Sequence, residues 1–134
     1  MKNKLSIHQY VMRSRGSLNA KSVRCVHRGA LVRVDHEEGV GYGCIHPWPE
    51  LGDEDLDQIL TMLAVGEHTI LSARALQCAQ ADAAARRRGV SLFDGLTVPR
   101  SHATLMMDEA GFQAAVEAGF TAVKVKVGRN PALE

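Results

Sequence analysis

A chain of 134 residues has room for one modest domain, or for a small domain and a piece of another. Its 46% apolar and 23% charged residues are the balance of an ordinary globular protein and exclude a disordered or collagen-like chain. Sixteen Lys and Arg against fifteen Asp and Glu leave a charge of +1, and only six aromatic Phe, Tyr and Trp side chains are present, so nucleic acid and anionic membrane surfaces are poor candidate partners.

Met1 to Tyr10 is polar and lacks the apolar stretch of a signal peptide, and no apolar run approaches the ~18 residues of a membrane span, which predicts a cytoplasmic protein. Leu5 to Met12 reads as a first strand. Arg13 to Asn19 is rich in Ser, Gly and Asn, the composition of a surface loop, and its Arg13 and Arg15 are suited to an anion. Val23 to Asp35 alternates: Leu31, Arg33 and Asp35 fall on one face, Val32 and Val34 on the other. Glu37-Glu38-Gly39 is a turn signal, and Val40 to Ile45 completes a hairpin that the first strand extends to three strands. Cys25, Cys44 and Cys78 suit neither a disulfide framework nor a zinc knuckle and are expected as reduced, partly buried thiols.

His46-Pro47-Trp48-Pro49 stops the hairpin, since each proline lacks an amide donor and restricts its predecessor. Asp53 is the expected N-cap of a helix with Leu56, Ile59, Leu60 and Leu63 on its apolar stripe, and Asp53, Glu54 and Asp55 are better read as a helix start than as metal ligands. An alanine-rich helix is expected from about Ser72 to Arg86-Arg87-Arg88, where cations complement the dipole and Gly89 caps the end. After Val98-Pro99 the pattern becomes strand (Ala103 to Met107), helix (Glu109 to Ala118, capped by Asp108, with Phe112, Ala115 and Val116 inward) and strand (Phe120 to Val127), a βαβ unit with parallel strands. The expected organisation is an α+β domain over 1–96, a three-stranded antiparallel sheet plus helices, and then the opening of an α/β domain over 97–134. The six histidines show no metal-ligand spacing and are assigned surface or hydrogen-bonding roles, His46 being of interest for its place in the Pro-rich loop with Trp48 as lid or anchor.

In Val123-Lys124-Val125-Lys126-Val127 the valines share one face and the lysines the other. Both faces of a parallel strand are normally covered, so two lysines on one face suit the mouth of a (β/α)₈ barrel, while a solvated edge strand would show the same alternation. The order Gly41-Tyr42-Gly43, Pro47-x-Pro49, two helices and then, about eighty residues on, Lys124-x-Lys126-x-Gly128 resembles the opening of the enolase superfamily, most like its muconate cycloisomerase subgroup with the o-succinylbenzoate synthases and dipeptide epimerases. The resemblance implies a capping domain followed by the first βαβ unit of the barrel. It implies a lyase that abstracts a proton next to a carboxylate and, in o-succinylbenzoate synthases, dehydrates its substrate for menaquinone synthesis, with an epimerase or cycloisomerase as the alternative.

By position Lys126 matches the general acid/base, with Lys124 as the neighbour whose charge depresses its pKa. Arg13, Arg15, His46 and Trp48 fall on the two cap loops that govern substrate choice. The partner implied is a small-molecule carboxylate, with self-association into a homo-oligomer compatible with it. Magnesium is the implied cofactor, its ligands on later barrel strands beyond residue 134 and none within the chain. Two barrel strands of eight cannot close a barrel, so the chain alone is expected to be inactive and prone to associate through its last strand. Cys44 stands where the family often has an acidic residue. Outside the enzymes, the rival reading is a stand-alone α+β module.

Overall fold

The computed structural model describes residues 4–15, 24–37, 39–105 and 109–125. The chain divides into two compact units, Met1–Asp94 and Gly95–Glu134.

In the first unit β1 (Lys4–Arg13), β2 (Val26–His36) and β3 (Gly39–Ile45) form an antiparallel sheet in the order β1-β2-β3. Tyr10 lies opposite Gly29, and Leu31 opposite Cys44. The expected alternation holds in β2, where Ala30, Val32 and Val34 are buried while Leu31 and Arg33 are exposed. Two helices cover the buried face: α1 (Leu56–Ala64) contributes Leu56, Ile59 and Leu63, and α2 (Ile70–Arg88) contributes Leu71, Ala75 and Ala79. These side chains and Ile45 make one continuous core.

The fit of α2 on β3 is a contact of backbones. A Cβ placed on Gly43 would run into the Ala75 carbonyl oxygen, and one on Gly41 into that of Ala79 and to 2.6 Å from the Ala83 nitrogen. Both glycines have backbone conformations open to any residue, so it is space and not φ that requires them. The outer edge of β3 is closed by the same helix: the Tyr42 amide donates to Asp82 Oδ2 at 3.0 Å, and Arg86 both binds that oxygen at 2.8 Å and lies over the Tyr42 ring. A neighbouring strand could not use that amide.

Several expectations change at the helix ends. Asp55, not Asp53, caps α1 by accepting from the Gln58 amide at 3.0 Å. Asp53 is drawn away because a 3₁₀ turn over Pro49–Leu51 and the left-handed Gly52 return the chain so that Asp53 Oδ2 accepts from the Trp48 amide at 2.8 Å. The second helix starts at Ile70 rather than near Ser72, since Ser72 is the N3 member of a capping box with Thr69: its hydroxyl accepts from the Thr69 amide at 2.9 Å while Thr69 Oγ1 accepts from the Ser72 amide at 3.2 Å. Its far end is as expected, with three arginines in the last turn and Gly89 in the left-handed conformation. The cysteines are free, as expected, but exposed rather than partly buried. Cys44 takes the outward turn in the alternation of β3, where Gly43 and Ile45 point to the core.

In the second unit β4 (Ala103–Leu105), α3 (Glu109–Glu117) and β5 (Val123–Val125) form a βαβ unit whose strands are parallel, with Thr104 opposite Lys124. Ala115 of α3 is buried, but Phe112 and Val116, expected inward, are exposed. Among the described residues the two strands pair over three positions, too few to cover more of the helix. Asp108, Met106, Met107, Lys126 and Val127 lie outside the described residues. No helix among the described residues is long and apolar enough to cross a membrane.

Candidate functional site

On the sheet face turned away from the helices, four rings gather at the end of the hairpin. Gly29 permits this: a Cβ there would meet the Tyr10 hydroxyl and ring, so its absence lets Tyr10 cross β2 to reach β3. The Tyr10 hydroxyl then lies 2.8 Å from His46 Nδ1 and 3.2 Å from Cys44 Sγ. The Tyr10 and His46 rings stack with centroids 5.9 Å apart. His27 is 2% exposed and holds Trp48 at 5.0 Å and His46 at 6.1 Å between centroids, while His46 and Trp48 are 5.5 Å apart. With its amide on Asp53, Trp48 is an anchor that ties the Pro-rich loop to the sheet rather than a free lid.

His27 departs from the expected surface or hydrogen-bonding role: neither ring nitrogen has a hydrogen-bond partner among the described residues. Such a group costs about 1–3 kcal/mol when left unpaired, so the ring is held by its contacts with Trp48 and His46 against a polar penalty. Burial lowers the pKa of His46 below its ordinary 6.5, and the charges of His27 and Arg24 act in the same direction. Burial pushes the Tyr10 phenol well above its usual range, so it stays protonated.

The lowered His46 value ties the stability of the folded domain to pH. The folded domain holds this proton less tightly than the unfolded chain, so the neutral ring's contribution is present above about 6.5 and is lost as the pH falls from there through the lower folded value. Asp57 and Asp82 are also depressed, by hydrogen bonds from Arg28 and Arg86, but their contributions are lost only below about 3.8. The expected result is a melting temperature that declines in two separate acid steps, the upper one flattened in His46→Asn. An upper step of full size in that variant, followed by circular dichroism, would assign it elsewhere.

Beside the loop, Arg24, Arg28, Pro47, Pro49 and the acidic start of α1 line a cavity of about 280 Å³. Arg24 donates to Glu50 at 2.8 Å, and Arg28 grips Asp57 through two nitrogens at 2.7 and 2.9 Å. The walls thus carry both signs of charge in pairs, which suits a small polar group more than a bare anion.

Of the residues singled out in the sequence, His46 and Trp48 come together. Arg13 ends β1 opposite Val26, and Arg15 follows it in a bend; no hydrogen bond or ion pair links either to His46 or Trp48 among the described residues. Lys124 is exposed on β5 of the second unit, and Lys126 is outside the described residues. Tyr10, His27 and Cys44 were not singled out for this cluster. The signal available was Gly29, a glycine inside a strand pattern, which marks a close approach. For the implied magnesium, no group of three or more His, Cys, Asp or Glu that could hold a metal occurs among the described residues.

Comparison with known proteins accords with this architecture. The family profile described as "O-succinylbenzoate synthase, N-terminal domain" matches residues 5–85. An o-succinylbenzoate synthase of Bdellovibrio bacteriovorus is 32% identical over 132 residues, 95% of this chain and 40% of that protein. Among solved structures, an L-Ala-D/L-Glu epimerase superposes with a TM-score of 0.68 at 22% identity, over 96% of this chain and 47% of the other. A substrate-liganded L-Ala-D/L-Glu epimerase from Bacillus subtilis gives 0.69 at 18% identity, over 97% and 46%. The chain thus spans less than half the length of these relatives. The three-stranded cap, the βαβ unit that follows it and the profile match over 5–85 together establish that the chain belongs to the o-succinylbenzoate synthase N-terminal domain family of the enolase superfamily.

Proposed function

We propose that this chain is the capping domain, over 1–96, and the first barrel strands, over 97–134, of a cytoplasmic lyase that removes a proton next to a carboxylate and dehydrates its substrate to o-succinylbenzoate for menaquinone synthesis. The observation that carries the reading is the family match over residues 5–85, supported by the identity to an o-succinylbenzoate synthase along nearly the whole chain. In this reading Lys126 is the base that takes the proton, and Lys124, two residues before it in the sequence, adds the positive charge that favours its neutral form. Arg13, Arg15, His46 and Trp48 belong to the loops that choose the carboxylate substrate. A divalent metal completes the enzyme through ligands beyond residue 134, and the described residues offer it no cage. On this reading the 134-residue chain alone is expected to be inactive.

A second reading, a dipeptide epimerase using the same lysine, is favoured by the likeness to L-Ala-D/L-Glu epimerases, which at 22% and 18% identity extends to the fold. The two readings separate by product. A complete protein carrying this chain is expected to form the aromatic o-succinylbenzoate from its dehydration precursor, followed by absorbance. Epimerisation of L-Ala-L-Glu in deuterated water with no aromatic product would select the second reading, and neither reaction would leave a cycloisomerase or the stand-alone module.

A further inference from the structure

One phenol proton serves two neighbours at the centre of the ring cluster. The Tyr10 hydroxyl touches His46 Nδ1 at 2.8 Å and Cys44 Sγ at 3.2 Å and can donate to one of them. An imidazole nitrogen lone pair is a far better acceptor than a thiol sulfur, and the nitrogen contact is the shorter. The hydroxyl therefore donates to Nδ1, and the Cys44 thiol donates weakly to the phenol oxygen. A neutral imidazole carries one proton, so with Nδ1 accepting, the proton is on Nε2.

We propose that Tyr10 is a positioning residue that fixes His46 as its Nε2–H tautomer, so that the Pro-rich loop begins with a hydrogen-bond donor and selects substrates that offer a carboxylate or similar acceptor. Three features support this. Gly29 is what lets the tyrosine reach across the sheet, so the contact is built into the strand. His27 and Trp48 pack around His46 and restrict its rotation. The charge of Arg24 reaches His46, where it opposes a further proton and favours an anion instead. The substrate part of the proposal rests on the lyase reading above; the tautomer part does not.

The test begins with the ¹⁵N-labelled chain at pH 7.5, in which long-range proton–nitrogen correlations distinguish a protonated ring nitrogen from an unprotonated one. The expected pattern for His46 is unprotonated Nδ1 and protonated Nε2, changing to a tautomer mixture in Tyr10→Phe, a variant that keeps the ring and its stacking. Trp48, the single tryptophan, reports by its fluorescence that the loop of Tyr10→Phe is still folded. A protonated Nδ1 in the parent, or an unchanged pattern in a folded Tyr10→Phe, overturns the proposal. In the complete protein Tyr10→Phe is expected to raise KM for the carboxylate substrate about tenfold with a smaller change in kcat, as loss of one aligned donor would. An unchanged KM overturns the donor's part in substrate choice. Failure of the lyase reading is distinct, since it shows as absence of turnover in the parent while the tautomer pattern stands.

Discussion

Gly41→Ala and Gly43→Ala are each expected to destabilise the first unit severely, and the double variant to lose its cooperative melt. The added methyl at Gly43 meets the Ala75 carbonyl oxygen and lies 2.8 Å from its carbon; that at Gly41 meets the Ala79 carbonyl oxygen. These obstacles are helix backbone, which cannot swing aside as a side chain would. Overpacking typically costs about 1–3 kcal/mol, and with rigid neighbours the upper end or more is expected. Gly→Ala also stabilises by about 0.4–1 kcal/mol by restricting the unfolded chain where the backbone conformation is allowed, as it is at both positions. The clash outweighs this gain severalfold. Two such losses, about 6 kcal/mol together, remove all of a stability at the low end of the usual range of about 5–15 kcal/mol and a large share of one above it. Thermal melts by circular dichroism decide it: a Gly41→Ala midpoint within about 3 °C of the parent would mean that α2 does not rest on the β3 backbone.

The largest effect on activity is expected at Lys126. On the lyase reading, Lys126→Ala in the complete protein abolishes turnover, by about 10⁴-fold or more, while fold and metal binding are retained. A lysine acts as a base only when neutral, and its ordinary pKa of about 10.4 lies far above a working pH near 7, so the charge of Lys124 has a purpose in that role. Lys124→Ala is accordingly expected to slow the reaction less and to move the acid-side limb of the pH–rate profile to higher pH. Activity of Lys126→Ala within about tenfold of the parent would remove it from the role of base.

The layers of the fold were readable where one local rule acted alone. The alternation of Val32 and Val34 against Leu31 and Arg33 separated the two faces of β2, of which the valine face is the buried one, and the arginine run with Gly89 named the end of α2. Reading failed where two local rules competed. Asp53 and Asp55 are both good caps, and only the three-dimensional course of the 3₁₀ turn decides which is free to act as one. Ser72 looks like a cap because it takes part in capping, from inside the helix. Phe112 and Val116 have the spacing of a buried stripe, but spacing says nothing of how wide a sheet lies beneath it. At the candidate site, His46 and Trp48 were legible from two prolines that mark a special loop. Tyr10 and His27 were not, because they reach it through cross-strand register, and that depends on where the hairpin turns.

The meeting of α2 and β3 also limits the length of the chain, not just its composition. Gly43 faces Ala75 and Gly41 faces Ala79, so helix and strand run in opposite directions side by side. Two strand residues advance about 6.6 Å and four helix residues about 6 Å, and this near-equality lets both contacts form at once. Inserting one residue between Ala75 and Ala79 would turn everything after it by about 100° around the helix axis and bring a larger side chain onto Gly41. Inserting one between Gly41 and Gly43 would turn one glycine to the opposite face of the sheet. In this short stretch related chains should therefore change letters but never spacing, and gaps in their alignment should collect outside it.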